Sequence, residues 1–374
     1  MNRSLIAIGC ALFLGCASTP KPAATKGTEA TETPASASGP GQPEFLSPAE
    51  IVKRLEASKV SYRVEGKDSP PGGWAEPLWP QRVKVVEFPR VVVERGERVI
   101  REWPEHAGAR KLLDEAEPHF QARRYDEAGK LYARATEVCP DCYMAWNFRG
   151  DAAYFAGDVP TALEHYRKAS ALNPDDHRSW FFQGNALAKL GRFDEALDAW
   201  AWCLVLSPRY PVIRQFFRNN SQLGLIIRED SIVPRGYAER AGEDISIQFD
   251  PNHDPAWFAF ANCKALWLGE PSHRQEMTGS TEEHFSSVEE LECLGSALVV
   301  HEGMKEQGKA EASDPTLDRL YAVAQDGMLL EAVLFEVGSR VHPQISLTLE
   351  DATRQRLKAY VLKHVLVPVG GITL

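Results

Sequence analysis

Residues 128–140 read AGKLYARATEVCP, residues 162–174 read ALEHYRKASALNP, and residues 196–208 read ALDAWAWCLVLSP. Aligned, they place alanine at Ala128, Ala162 and Ala196, an aromatic at Tyr132, Tyr166 and Trp200, and a small residue at Ala135, Ala169 and Cys203. Proline closes each line at Pro140, Pro174 and Pro208, so the period is 34 residues throughout. Upstream in the same register stand Ala116, Gly150 and Gly184, with Trp146 and Trp180 four residues before the two glycines.

A fixed period of this length with small residues on both halves describes a pair of helices. Gly or Ala where two helices cross lets their backbones approach, and the aromatics fill the wider gaps between neighbouring pairs. Proline ends the second helix, because it lacks the amide donor and its ring clashes with the preceding turn. These positions resemble the tetratricopeptide repeat, whose units stack because none buries its apolar face alone. The predicted fold is mainly α. Three clear repeats occupy residues 107–208, and a degenerate fourth unit with an insertion occupies 209–270, because Pro251 to Trp257 repeats the spacing of Pro140 to Trp146.

The flanks follow from local signals. Ser47-Pro48-Ala49-Glu50 reads as a capping box opening a helix to about residue 58. Residues 83–88 and 91–103 are rich in Val and Ile around an Arg95-Gly96 turn, which predicts a small β-meander. With the first helix it forms a cap over residues 45–106, expected on the first repeat at the apolar end of the solenoid. Residues 271–374 read as a helical bundle, with helices over about 281–305, 315–339 and 349–366 and Asp314 as a cap.

Met1-Asn2-Arg3 and the apolar residues 5–15 form a secretory signal. Leu12-Phe13-Leu14-Gly15-Cys16 resembles a bacterial lipobox, which implies cleavage after residue 15 and acylation, palmitate included, of Cys16. Cys10 is a rival position, and an ordinary signal peptide is the plainer alternative. Ala17 in place of aspartate implies the outer membrane, facing the periplasm. Residues 16–44 are almost all Ala, Thr, Pro, Ser, Gly, Lys and Glu, too polar to bury a core and expected as a disordered tether. The formal charge of −10 disfavours a nucleic-acid partner.

Cys139-Pro140-Asp141-Cys142 is the most chemical-looking motif. Its proline already belongs to the repeat, and no strand precedes it as the redox fold requires. Incidental thiols are the first reading, a local disulfide the second, and redox or metal chemistry the last. Cys263 and Cys293, on separate predicted helices, form a candidate bridge. Asp250-Pro251-Asn252-His253-Asp254 begins like a calcium loop but has proline where glycine is required. His301-Glu302 lacks a second histidine at helical spacing, and Glu331 and Glu336 fall on different faces of an α-helix. No catalytic, metal or cofactor motif emerges. An enzyme with an unrecognised site in the C-terminal helical region is the alternative reading.

The resemblance implies a concave groove lined by the first helix of each repeat, taking a protein or peptide segment. Its lining positions are Asn147, Phe148, Asp151 and Phe155, then Arg178, Phe181, Phe182 and Asn185; the plainer alternative for Phe148 and Phe182 is packing on neighbouring helices. Family members that clamp a C-terminal carboxylate use Lys, Asn, Asn, Lys and Arg at places that here hold Leu113, Glu117, Phe148, Arg178 and Phe182. Only Arg178 agrees in charge, which argues against that ligand. The expected whole is a membrane-anchored scaffold that helps assemble or retain an envelope complex.

Overall fold

The computed structural model describes residues 44–71, 73–308 and 314–369. The signal segment 1–15, Cys16 and residues 17–43 of the tether lie outside the described residues. The chain forms two compact units and passes between them three times: residues up to Leu78 join Ser231–Val333, and Trp79–Asp230 join the segment from Leu334 onward. No described helix is long and apolar enough to cross a membrane.

The second of these units holds the repeats. Helices Ala107–Gln121 and Tyr125–Val138, Tyr143–Ala156 and Val159–Leu172, and His177–Lys189 and Phe193–Leu206 form three consecutive pairs. Each small position does what crossing helices need. A Cβ on Gly150 would stand 2.5 Å from Tyr166, and one on Gly184 would stand 2.3 Å from the Trp200 ring. Trp200 is fully buried and its indole Nε1 donates to Asn185 Oδ1 at 3.1 Å, so it has no room to retreat. Gly184→Ala is therefore expected to cost about 2–3 kcal/mol as overpacking, read as a lower denaturant midpoint at unchanged slope. Ala116, at the same register, already carries its Cβ against Tyr132, and Ala116→Gly should cost only about 1 kcal/mol.

The tryptophans have a separate reason. Trp146 Nε1 donates to the Pro140 carbonyl at 2.9 Å and Trp180 Nε1 to the Pro174 carbonyl at 3.0 Å. Each indole thereby closes the carbonyl of the proline six residues before it, in the turn just past the helix end. After Pro208 the same place is taken by Arg214, whose guanidinium donates to the Pro208 carbonyl at 3.1 Å.

That contact corrects the expected fourth unit. The spacing of Pro251 to Trp257 imitates a repeat, but Trp257 Nε1 donates to Asp314 Oδ2 at 2.8 Å and Trp257 is fully buried in the other unit. The interval 209–270 is divided after Asp230. Its first part continues the solenoid with helix Pro211–Asn219, whose Phe216 and Phe217 close on Trp200.

The cap over 45–106 is also divided, after Leu78. Strands Pro89–Glu94 and Glu97–Glu102 form the hairpin, with Glu94 opposite Glu97. Arg95 (φ 54°) and Gly96 (φ 89°) make the left-handed two-residue turn. Residues 83–88 are not a strand. Their Val86 amide and carbonyl are both met by the Gln344 side chain at 2.8 Å, which takes the place of a neighbouring strand. The hairpin sits beside the second and third repeats rather than on the first. Asn173 Nδ2 donates to the Pro89 carbonyl at 2.9 Å, the Val91 amide donates to Asp175 at 3.1 Å, and Trp103 lies edge-on to Tyr143 at 4.9 Å.

The predicted bundle 271–374 is split at Val333. In the repeat-bearing unit, helix Asp351–Tyr360 continues into a π-turn, Val361–Val365, and strand Leu366–Pro368 pairs antiparallel with Leu225–Ile227. Arg354 and Lys358 lie over the Trp202 ring, and Arg354 reaches Asp175 at 3.3 Å. A second π-turn, Val333–Gly338, leaves the Glu336 carbonyl to accept from Arg209 and turns the Glu336 carboxylate to the Tyr360 hydroxyl at 2.7 Å. Glu331 and Glu336 are both buried, although α-helical spacing separates their faces.

The other unit is built round helix Ala256–Gly269, apolar on nearly every side and buried accordingly. A sheet of order Tyr62–Gly66, Asp244–Phe249, Gly236–Ala241 packs against it, the first pair parallel and the second antiparallel. The capping box at Ser47 is formed in both directions, with Ser47 amide to Glu50 at 2.8 Å and Glu50 amide to Ser47 Oγ at 3.3 Å. Helix Ser287–Glu306 begins at a Ser286 cap, later than the expected start near 281, and Asp314 caps helix Pro315–Gln325. Cys263 and Cys293 are joined, with Cα atoms 5.1 Å apart.

Candidate functional site

The inner helices place the eight predicted groove residues in register, but the structure engages most of them internally. Asn147 is buried, and its Nδ2 donates to Ser179 Oγ at 2.9 Å. Phe148 stacks on Tyr132 at 5.6 Å, and Phe182 stacks on Tyr166 at 5.3 Å, the packing alternative raised by the sequence. Phe181 is 5% exposed and packs edge-on against Phe216 and Tyr210. It is a core residue, because helix Pro211–Asn219 closes over the third repeat.

Arg178 is not a free groove cation. It pairs with Asp176, donates to the Glu87 carbonyl at 2.8 Å and lies over Phe88 at 4.4 Å. Burial alone would lower its affinity for a proton, and the Asp176 carboxylate holds it above the ordinary range. Residues 87–89 therefore occupy the third-repeat end of the inner face. The sequence missed this because residues 83–88 look like a strand, while Phe88 next to Pro89 was the available sign of a chain lying flat on an arginine.

One column runs through all three repeats. Tyr132, Tyr166 and Trp200 are equivalent positions, and opposite them stand the equivalent positions Glu117, Asp151 and Asn185. In the third repeat the indole donates to Asn185 at 3.1 Å, and in the second the Tyr166 hydroxyl donates to Asp151 Oδ1 at 2.7 Å. In the first the rung is open. Tyr132 is 1% exposed and its hydroxyl has no hydrogen-bond partner. Glu117 instead accepts from Gln121 at 3.0 Å on the exposed side.

Beside this open rung is an aromatic shelf. Phe155 is 56% exposed, stacks on Tyr125 at 5.7 Å and meets Phe120 edge-on at 5.6 Å. It is the one predicted groove residue whose side chain is both exposed and set on a rigid aromatic support. Lys189 takes the equivalent place one repeat later and lies over Tyr154 at 4.5 Å.

Cys139 and Cys142 are bonded to each other at the turn between the first and second repeats, Cα atoms 5.3 Å apart. The reading as incidental thiols is thereby corrected: the helix end at Val138 and the start at Tyr143 bring the two side chains together across Pro140. Cys203 is a buried free thiol in the repeat core, its proton held more tightly by burial.

In the other unit, the most concentrated polar chemistry is enclosed. His301 is fully buried, with Nδ1 2.5 Å from Asp254 and Nε2 3.1 Å from Asp318, which also receives Lys305 at 2.7 Å. His273 lies 2.8 Å from Glu292, which also accepts from Trp267 at 2.6 Å.

The tetratricopeptide repeat family model matches residues 113–169 and 149–201, less than half of the chain. No curated protein matches it. Among solved structures, the first tetratricopeptide-repeat domain of Spaghetti (RPAP3) bound to an HSP90 peptide is 23% identical, covering 31% of this chain and 91% of its own at a TM-score of 0.29. The first such domain of human RPAP3 is 24% identical, covering 30% and 90% at 0.29. The Yersinia enterocolitica translocator chaperone SycD is 16% identical, covering 32% and 90% at 0.29. The central segment of this chain folds as a solenoid of tetratricopeptide-like helix pairs.

Proposed function

We propose that the chain is an envelope scaffold whose first two repeats hold a segment of another protein, and that an acylated Cys16 tethers it to the outer membrane on the periplasmic side. The observation that carries the binding role is the Phe155 shelf, an exposed aromatic on a rigid support beside polar groups, which is how binding anchors are built. Two disulfides fit a chain that folds in an oxidising compartment, in agreement with the export signal. Retention or assembly of an envelope complex is the role such a tethered groove serves.

The site proposed here is narrower than the sequence implied. Phe181→Ala reports on core packing and is expected to lower stability by about 3 kcal/mol, so it is no test of binding. Phe155→Ala is the test. It should lower stability by only about 1–2 kcal/mol, for the lost ring contacts, and reduce partner recovery from crosslinked membranes about tenfold. Undiminished recovery would remove the groove from the account. A catalytic role for the His301 cluster has less support, because both ring nitrogens are taken by carboxylates and the ring is fully buried.

A further inference from the structure

The first two repeats carry a local charge with nothing basic to balance it. Glu117 and Asp151 lie one repeat apart on adjacent inner helices, and no described basic side chain forms an ion pair with either. The charged and titratable groups facing Asp151 are Glu117, Tyr132, Tyr166 and Tyr210, none of them basic. The Tyr132 hydroxyl, within the electrostatic influence of both carboxylates, is buried and without a partner, in the rung that the other two repeats complete internally. A buried hydroxyl left without a partner costs about 1–3 kcal/mol, and its oxygen can accept from a cationic N–H.

The surrounding helix faces add an apolar component. Phe148, Asp151 and Phe155 are three and four residues apart on helix Tyr143–Ala156, so they share one face. Glu117 and Phe120 are likewise three apart on helix Ala107–Gln121. The third-repeat end of the inner face is occupied by residues 87–89.

From this arrangement we infer that the segment bound by the first two repeats carries an Arg or Lys side chain seated between Glu117 and Asp151, with an apolar side chain against Phe155. This deepens the binding role proposed above and rests on it. The charge complementarity is opposite to that of a carboxylate clamp, and the partner is a protein segment of mixed basic and apolar composition. Burial pushes the Asp151 carboxyl up to about 7, opposed by the Tyr166 hydrogen bond and reinforced by Glu117. A cation seated beside it favours the ionised form. Binding therefore releases a proton, and affinity rises as the pH climbs through about 7.

The test is selection of short random peptides displayed on phage against the full chain, alongside the double variant Glu117→Gln, Asp151→Asn. Asn at 151 keeps an acceptor for Tyr166, and Gln at 117 keeps one for Gln121, so both repeats stay packed. The expected result is enrichment of Arg or Lys next to Leu or Phe. Synthetic copies should lose about tenfold in affinity when Arg is replaced by citrulline, and the double variant should show neither the enrichment nor the pH dependence. Apolar peptides without basic residues, enriched equally on both proteins and lost on Phe155→Ala, would overturn this inference and leave the groove intact. Acidic peptides would overturn it too, and the absence of any groove-dependent peptide would overturn both.

Discussion

Lys264→Met is expected to destabilise the unit containing Ser231–Val333 by about 3–5 kcal/mol. Lys264 is 7% exposed, and its amine lies 2.7 Å from Glu289 and 2.6 Å from Glu290. Methionine preserves most of the volume, so the loss is electrostatic: the Lys264 cation is withdrawn from Glu290, which is 2% exposed. Glu289 retains Arg274 at 3.0 Å. Burial alone would lower the amine's affinity for its proton, and the two carboxylates hold it above the ordinary range. A raised value in the fold means the contribution is fully present below about 10.5 and is lost only as pH rises through the higher folded value. Variant and parent should therefore differ throughout neutral pH and converge in strong alkali. A difference under about 1 kcal/mol in denaturant unfolding would show that water reaches Glu290 and that the pair is effectively a surface one.

Replacing both Cys263 and Cys293 by alanine is expected to cost about 3–4 kcal/mol, because the bond closes a loop with a sequence separation of 30. Both sulfurs are fully buried, so two small cavities add to the chain-entropy term. The bond joins helix Ala256–Gly269 to helix Ser287–Glu306, the same pair tied by Lys264 and by Trp267 to Glu292. The Cys139–Cys142 bond closes only a three-residue separation, and its removal should cost much less. If the two double variants unfold at the same denaturant concentration, loop closure is not what the longer bond contributes.

The repeats were legible because their reasons are local and recur. Gly150 and Gly184 face Tyr166 and Trp200, Pro140 and Pro174 stop helices, and Trp146 and Trp180 donate to those prolines' own carbonyls. The false fourth repeat used the same letters for another purpose, since Trp257 serves Asp314. Nothing within a 34-residue window distinguishes the two indoles.

Long-range pairing was the other blind spot. Tyr62–Gly66 gains its strand partner from residues 245–249, and Val86 gains its hydrogen bonds from Gln344. No pattern near either segment announces those partners. The π-turns at 333–338 and 361–365 break the 3.6-residue count, which is why Glu336 faces inward against the α-helical expectation.

The inner helices lie where the spacing put them, but which of their faces stay accessible could not be seen from spacing. Equivalent register predicts equal roles for Asp151 and Asn185, and for the aromatic faces beside them. Residues 87–89 and helix Pro211–Asn219 then close the third-repeat end, because Phe88 and Phe216 have to be buried somewhere. Those covering segments come from outside the repeats, beyond the reach of a repeat pattern.

The most direct measurement places a photo-crosslinking benzoylphenylalanine at Phe155 or, separately, at Val138, which is also half-exposed but stands at the Cys139 end of the same repeat pair. Each protein is irradiated in intact cells and its adducts are resolved by mass. The account predicts one discrete partner adduct from position 155, absent from position 138 and diminished by Glu117→Gln with Asp151→Asn. The same adduct from both positions, or from position 138 alone, would contradict it.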